Sequence, residues 1–287
     1  THLKGEGYVL PADKKTFVFI DEIQYLERPS EFLKLIADHH KNIKLIVSGS
    51  SSFEIKSKFK DSLVGRTIIF EIFNLSFEEY LMFKKYHYDA EVRMTEKKQE
   101  ELRLLYKEYI LFGGYPKIAL IDEIELKERR LQQIIDTYLK KDIKELANID
   151  RVESFNRLLE ALSSQSGQLV NIKELSNTCN LSVPTIEKYL FILEQTYIIK
   201  LVRPYSKNIR SEISKMPKIF FYDSGLMQML WLKSLQKEII GNAFETSVFS
   251  ELVKKYGRES VYYWRTKDKK EIDFIVRYKN KITPIEV

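Results

Sequence analysis

Two adjacent carboxylates, Asp21 and Glu22, stand directly after the run Thr16-Phe17-Val18-Phe19-Ile20. A continuous apolar run rich in β-branched and aromatic residues reads as a strand buried on both faces, as in a parallel sheet covered by helices. Ligands of such sheets sit beyond the carboxyl ends of the strands, where Asp21 and Glu22 emerge. In a nucleotide hydrolase an acid at that point helps hold Mg²⁺ through its water shell, and a second polarises the attacking water. A second tip follows Ile43-Lys44-Leu45-Ile46-Val47, in Ser48-Gly49-Ser50-Ser51-Ser52. Hydroxyls there are placed to sense a γ-phosphate or to orient a water. Each tip also has a plainer reading, as a strand ending in a charged turn and as a serine-rich loop.

Those groups need a scaffold that brings the two tips together. After Arg28-Pro29, Ser30 can cap a helix in which Phe32, Leu33, Leu35 and Ile36 fall at helical spacing. Strand, helix and strand then form a βαβ unit with its chemistry on one edge.

The wording Phe19-Ile20-Asp21-Glu22-Ile23-Gln24, followed by Val47-Ser48-Gly49-Ser50-Ser51, resembles the acidic motif and first sensor motif of AAA-type P-loop ATPases. It is most similar to a prokaryotic group in which that core precedes a region called DUF4143. Gly65-Arg66, Asn74-Leu75-Ser76-Phe77-Glu78-Glu79-Tyr80, Phe112-Gly113-Gly114-Tyr115-Pro116 and Tyr138-Leu139-Lys140-Lys141-Asp142-Ile143 fit the group too. The resemblance implies an α/β fold: an incomplete P-loop parallel-sheet core over residues 1–83 and a helical lid over 84–150. It implies ATP and Mg²⁺ as cofactors, with Asp21 holding Mg²⁺, Glu22 activating water and Ser48 or Ser50 sensing phosphate. Arg66 would be an arginine finger on the γ-phosphate; its plainer reading is a surface ion pair. One departure stands out. No Gly-x-x-x-x-Gly-Lys-Ser/Thr pattern occurs in the 287 residues, and that loop supplies most of a phosphate cradle. The chain therefore reads as a fragment without its amino-terminal strand, phosphate loop and first helix, and as written it should not bind ATP tightly. ATPase activity is expected of the intact protein.

The remaining sequence divides by pattern. A strand is expected at Thr67-Ile68-Ile69-Phe70, a capping box at Ser76-Phe77-Glu78-Glu79, and helices ending at Phe112 and running from Leu126 to Leu146. Gly113 and Gly114 read as turn residues. Residues 151–223 read as a winged helix-turn-helix: Phe155, Leu158, Leu159 and Leu162 face inward on one helix. Asn171 starts a second helix and Ser182 caps a third that carries Pro184 in its first turn. Residues 171–218 hold eight Lys and Arg against four Glu, and Arg203, Lys207, Arg210, Lys215 and Lys218 could form a phosphate stripe. The third helix offers Thr185, Glu187 and Lys188, a set poor in base-reading side chains. DNA and a protein partner both remain open for this region.

Residues 224–287 carry a second constellation. Glu245 lies on a helix, Asp273 on a strand, and Glu286 about a dozen residues later. The order resembles the restriction-endonuclease-like PD-(D/E)xK core, truncated here, in which such carboxylates gather Mg²⁺. The plainer reading takes Asp273 and Glu286 as ordinary strand-end charges.

Composition bounds the rest. The apolar and aromatic shares, 44% and 13%, are those of a folded globular chain. No apolar run approaches the roughly 20 residues that span a bilayer. A single cysteine, Cys179, forbids an internal disulfide framework and suits a reducing, cytoplasmic setting. A net charge of +6 permits nucleic-acid contact without demanding it. Three functions follow: an ATP-driven AAA-type switch acting on or near DNA, alone or as a homo-oligomer; a Mg²⁺-dependent nuclease using Glu245, Asp273 and Glu286; and a non-enzymatic winged-helix adaptor.

Overall fold

Thr16–Ile20 (β1) and Ile43–Val47 (β2) pair in parallel, from Thr16 opposite Ile43 to Ile20 opposite Val47. The helix between them, Pro29–His39 (α1), carries Pro29 in its first turn, where the missing N–H costs nothing. The computed structural model describes residues 15–49, 67–87, 94–143, 149, 151–206, 216–266 and 268–287. The chain divides into two compact units, Thr1–Glu71 and Ile72–Val287.

In the first unit the βαβ arrangement is the one expected, and it puts both strand tips on one edge. Its core is small: Ile23 and Leu33 are buried, with Ile20 and Leu45 packed against them. The expectation of a strand covered on both faces is not met among the described residues. Phe17 and Phe19 are 57% and 72% exposed, because α1 covers only the opposite face of the pair. Thr67–Phe70, expected as a strand, takes no strand conformation, and Ile68, Ile69 and Phe70 are at least 70% exposed. A β-branched run becomes a strand only when it finds an edge to pair with, and no pairing of this run occurs among the described residues.

The second unit is mainly helical. Phe77–Phe83 (α2) opens on the expected capping box, Ser76 accepting from the Glu79 N–H and Glu79 accepting from the Ser76 N–H. Glu96–Phe112 (α3) stops at Gly113, and Pro116–Ala119 (α4) and Ile124–Ile134 (α5) follow. The helix expected through residue 146 changes character at Ile135–Asp142, which takes the wider π winding. Val152–Ser164 (α6), Ile172–Cys179 (α7) and Val183–Gln195 (α8) come next. Asn171 caps α7, Ser182 caps α8, and Asn180 makes the turn between them in the left-handed region, at φ 52°. Ile199–Val202 (β3) and Lys218–Phe221 (β4) form an antiparallel pair.

Ser224–Leu232 (α9) is buried along most of its length, and Gly241–Tyr256 (α10) packs beside it. The chain then runs through a three-stranded antiparallel sheet, Val261–Arg265 (β5), Glu271–Tyr278 (β6) and Lys281–Ile285 (β7). One apolar core joins α3, α5 and α6 to α9. A second, aromatic core stacks Phe220, Phe249 and Phe274 between β4, α10 and β6, with the first two rings 4.8 Å apart. Among the described residues no helix is long and apolar enough to cross a membrane.

Candidate functional site

At the carboxyl edge of the parallel pair, two backbone bonds fasten the strand tips to each other. Ser48 N donates to Ile20 O at 2.9 Å, and Ile23 N donates to Ser48 O at 3.0 Å. The chain turns sharply at Glu22, whose φ of 50° lies in the left-handed region that costs a non-glycine residue about 1–3 kcal/mol. A short 3₁₀ turn, Ile23–Tyr25, follows. The Ser48 hydroxyl donates to Asp21 Oδ1, which also accepts the Glu22 N–H at 3.1 Å. Asp21 is exposed and Glu22 half-buried. The structure thus brings Asp21, Glu22 and Ser48 to one corner; Ser50 and Arg66 lie outside the described residues. An exposed carboxylate with a hydroxyl against it is a donor set suited to a hydrated Mg²⁺. The described residues supply no phosphate cradle beside it.

The second constellation gathers around a pocket of about 500 Å³ lined by Ile239, Gly241, Phe244, Glu245, Asp273 and Val287. Glu245 projects from α10 and Asp273 from β6, so these two expected acids do meet. Glu286 is exposed and absent from the pocket lining. Among the described residues no three His, Cys, Asp or Glu side chains are placed to share a metal ion. Lys218 is the unexpected member. The sequence pattern puts it in an exposed phosphate stripe, yet it is 4% exposed, with its ammonium 3.3 Å from Glu245 Oε1 and paired with Glu271. The stripe reading fails for it because β4 is a fully buried strand. Burial pushes the Glu245 carboxyl above its ordinary range, against the pull of Lys218, and the nearby Asp273 charge adds to the rise. Arg203 is exposed just beyond β3, as a phosphate contact requires, while Lys207, Arg210 and Lys215 lie outside the described residues.

A third cluster has no counterpart among the sequence expectations. Asp223, the N-cap of α9, is buried and accepts from Asn74 Nδ2 at 2.5 Å, Gly114 N at 2.8 Å and Leu226 N at 2.8 Å. Burial raises its pKa, which those donors and Lys254 oppose. Gly113 and Gly114 are more than turn residues: a Cβ at Gly113, where φ is +79°, would overlap the Asp223 carboxylate. Next to this knot, the Lys254 ammonium donates to Leu75 O at 2.7 Å and to the Tyr109 hydroxyl oxygen at 2.8 Å. Tyr109 Oη is 2.6 Å from Glu251 Oε1, and Glu251 Oε2 accepts the Phe77 N–H at 3.1 Å. The sequence signal is a Gly-Gly pair at a helix end together with an Asp-Ser-Gly helix start, two local features whose meeting depends on the fold.

Residues 3–81 match a family described as an AAA domain, and residues 240–287 match a domain of unknown function, DUF4143. Between them, residues 103–238 match another domain of unknown function, DUF8612. An uncharacterized protein of Haemophilus influenzae is 30% identical over 281 residues, which is 96% of this chain and 66% of that protein. An uncharacterized protein of Methanocaldococcus jannaschii is 28% identical over 272 residues, covering 92% of this chain and 59% of its own length. One of Mycobacterium tuberculosis is 22% identical over 276 residues, covering 94% and 58%. The chain thus spans no more than about two thirds of the length of the curated relatives it matches.

Proposed function

With an AAA-domain match and a DUF4143 match on one chain, the sequence falls with the AAA/DUF4143 ATPase-like group, and from that premise we propose an ATP-driven switch whose carboxy-terminal half performs recognition. The observation that carries this reading is the Ser48 hydroxyl on the Asp21 carboxylate, at the carboxyl edge of a parallel strand pair. Bound Mg²⁺ would offset phosphate charge in front of Asp21. Asp21 would accept hydrogen bonds from the water shell of the ion, with its orientation set by Ser48. Glu22, swung out of the strand by its left-handed turn, would take up a proton from the attacking water. Ser50 would report on the γ-phosphate, and Arg66 would stabilise the charge on the transferred group. The phosphate cradle has to come from residues other than those described.

The test uses the full-length protein. Glu22→Gln is expected to lower ATP turnover by about 10²–10⁴-fold while nucleotide binding persists. Turnover equal to wild type would remove Glu22 from the mechanism and the reading with it.

For residues 151–223 we propose a winged-helix recognition module, supported by the capped pair α7 and α8 and the β3–β4 ladder behind them. For residues 224–287 the proposal is an endonuclease-like scaffold. Glu245 and Asp273 support it by facing one pocket, and a cleavage site would need a third acid that Glu286 does not bring to that pocket.

A further inference from the structure

We propose that Lys218 is a resident cation, occupying with its ammonium the place a divalent metal would take among Glu245, Glu271 and Asp273. The inference stands apart from the nucleotide reading, because every residue in it belongs to the second unit. Lys218 lies within the stretch that matches DUF8612, while its carboxylate partners lie within the stretch that matches DUF4143. One region therefore supplies the positive charge and the other supplies the acids.

The donor set decides between ammonium and metal. Mg²⁺ needs near-octahedral oxygen ligands at about 2.0–2.1 Å and several retained waters. Here the lone pairs are already committed to nitrogen donors. Glu245 Oε1 faces the Lys218 ammonium at 3.3 Å, and Glu271 is shared between Lys218 and Arg265 Nη1, the latter at 3.3 Å. Asp273 Oδ2 accepts the Val287 N–H at 2.9 Å. The free side of Glu245 is walled by backbone, since a Cβ on Gly167 would lie only 2.7 Å from Oε2. Lys218 cannot swing away, because its side chain is 5% exposed and lies over the Tyr263 ring at 5.9 Å. A metal ion arriving there would meet a fixed positive charge at close range, in a site of low dielectric. An ammonium can hold the strands and the helix in register, but it cannot lower the pKa of a bound water as a metal does.

Mn²⁺ titration of the full chain, read by the electron paramagnetic resonance of free Mn²⁺, tests this. Wild type and Asp273→Asn are expected to bind Mn²⁺ identically, since any ion held near Asp21 is common to both. Lys218→Met keeps the apolar stem and removes the charge. It is expected to gain one equivalent of Mn²⁺ at least tenfold tighter than wild type binds at this site, and Asp273→Asn in that background should abolish the gain. A wild-type equivalent that disappears in Asp273→Asn would overturn the proposal, as would a Lys218→Met protein with native circular dichroism and no new site. If Lys218→Met fails to fold, the wild-type comparison decides: equal binding upholds the resident cation, and a difference refutes it.

Discussion

Glu108 shows how a buried charge is tolerated in this molecule and what it does to stability. It is 3.0 Å from both the Lys84 and the Lys127 ammonium, and Lys127 also lies over the Phe112 ring with 0% exposure. Burial pushes the Glu108 carboxyl up, but the two lysines outweigh burial and hold it below its ordinary value of 4.5. The unfolded chain therefore takes up a proton at Glu108 before the folded one does. The stabilisation is present above pH 4.5 and fades as pH falls through the lower folded value. Glu108→Gln should be less stable than wild type at pH 7, because it leaves two lysines without their counter-charge. Urea unfolding at pH 7, 5 and 3.5 should show that gap narrowing in acid; a gap independent of pH would contradict the assignment. Single residues are legible in the sequence where local pattern fixes their place. Asp21 and Ser48 each end an apolar run, and a parallel pair brings such ends together. Lys218 and Asp223 are not legible, because nothing local marks a lysine or an aspartate as buried. Asp223 meets Asn74 and Gly114 from 149 and 109 residues away.

Among the elements, the end of α3 is the most constrained. Gly113 combines a φ of +79° with direct approach to Asp223, and a Cβ on Gly225 would strike the Phe112 carbonyl. Gly113→Ala is expected to cost about 2–5 kcal/mol, the sum of a glycine-only backbone and an overpacked neighbour. Gly241→Ala is the control: a Cβ there meets nothing within 4 Å, at the first residue of α10. It should leave stability unchanged or raise it by up to about 1 kcal/mol. Equal effects in thermal or urea unfolding would dismiss the close-approach argument. Capped helices such as α2, α7 and α8 are readable in advance, since Ser76, Asn171 and Ser182 act within one turn. The π winding at Ile135–Asp142 is not, because apolar spacing near 3.6 residues reads alike for both windings. What fixes that segment is tertiary, including the Tyr138 hydroxyl on Thr196 O at 3.0 Å.

At the scale of the whole molecule, charge is the property with a measurable reach. The net charge is +6, and eight Lys and Arg fall within residues 171–218. If the winged-helix module binds nucleic acid, gel shifts of the full chain on duplex DNA should weaken as salt rises. Neutralising Arg203, Lys207 and Arg210 should then flatten the log–log salt slope by about 0.9 for each phosphate left without its cation. No shift at low salt would assign the module to a protein partner. The segment that begins the second unit carries a different consequence. Within five residues of Ile72, Asn74 is tied to Asp223, Leu75 N to Gly114 O, Leu75 O to Lys254 and Phe77 N to Glu251. Any tension along the chain ahead of that point would arrive at a riveted anchorage instead of being dissipated in slack polypeptide, so a stroke begun upstream has a fixed place to push against.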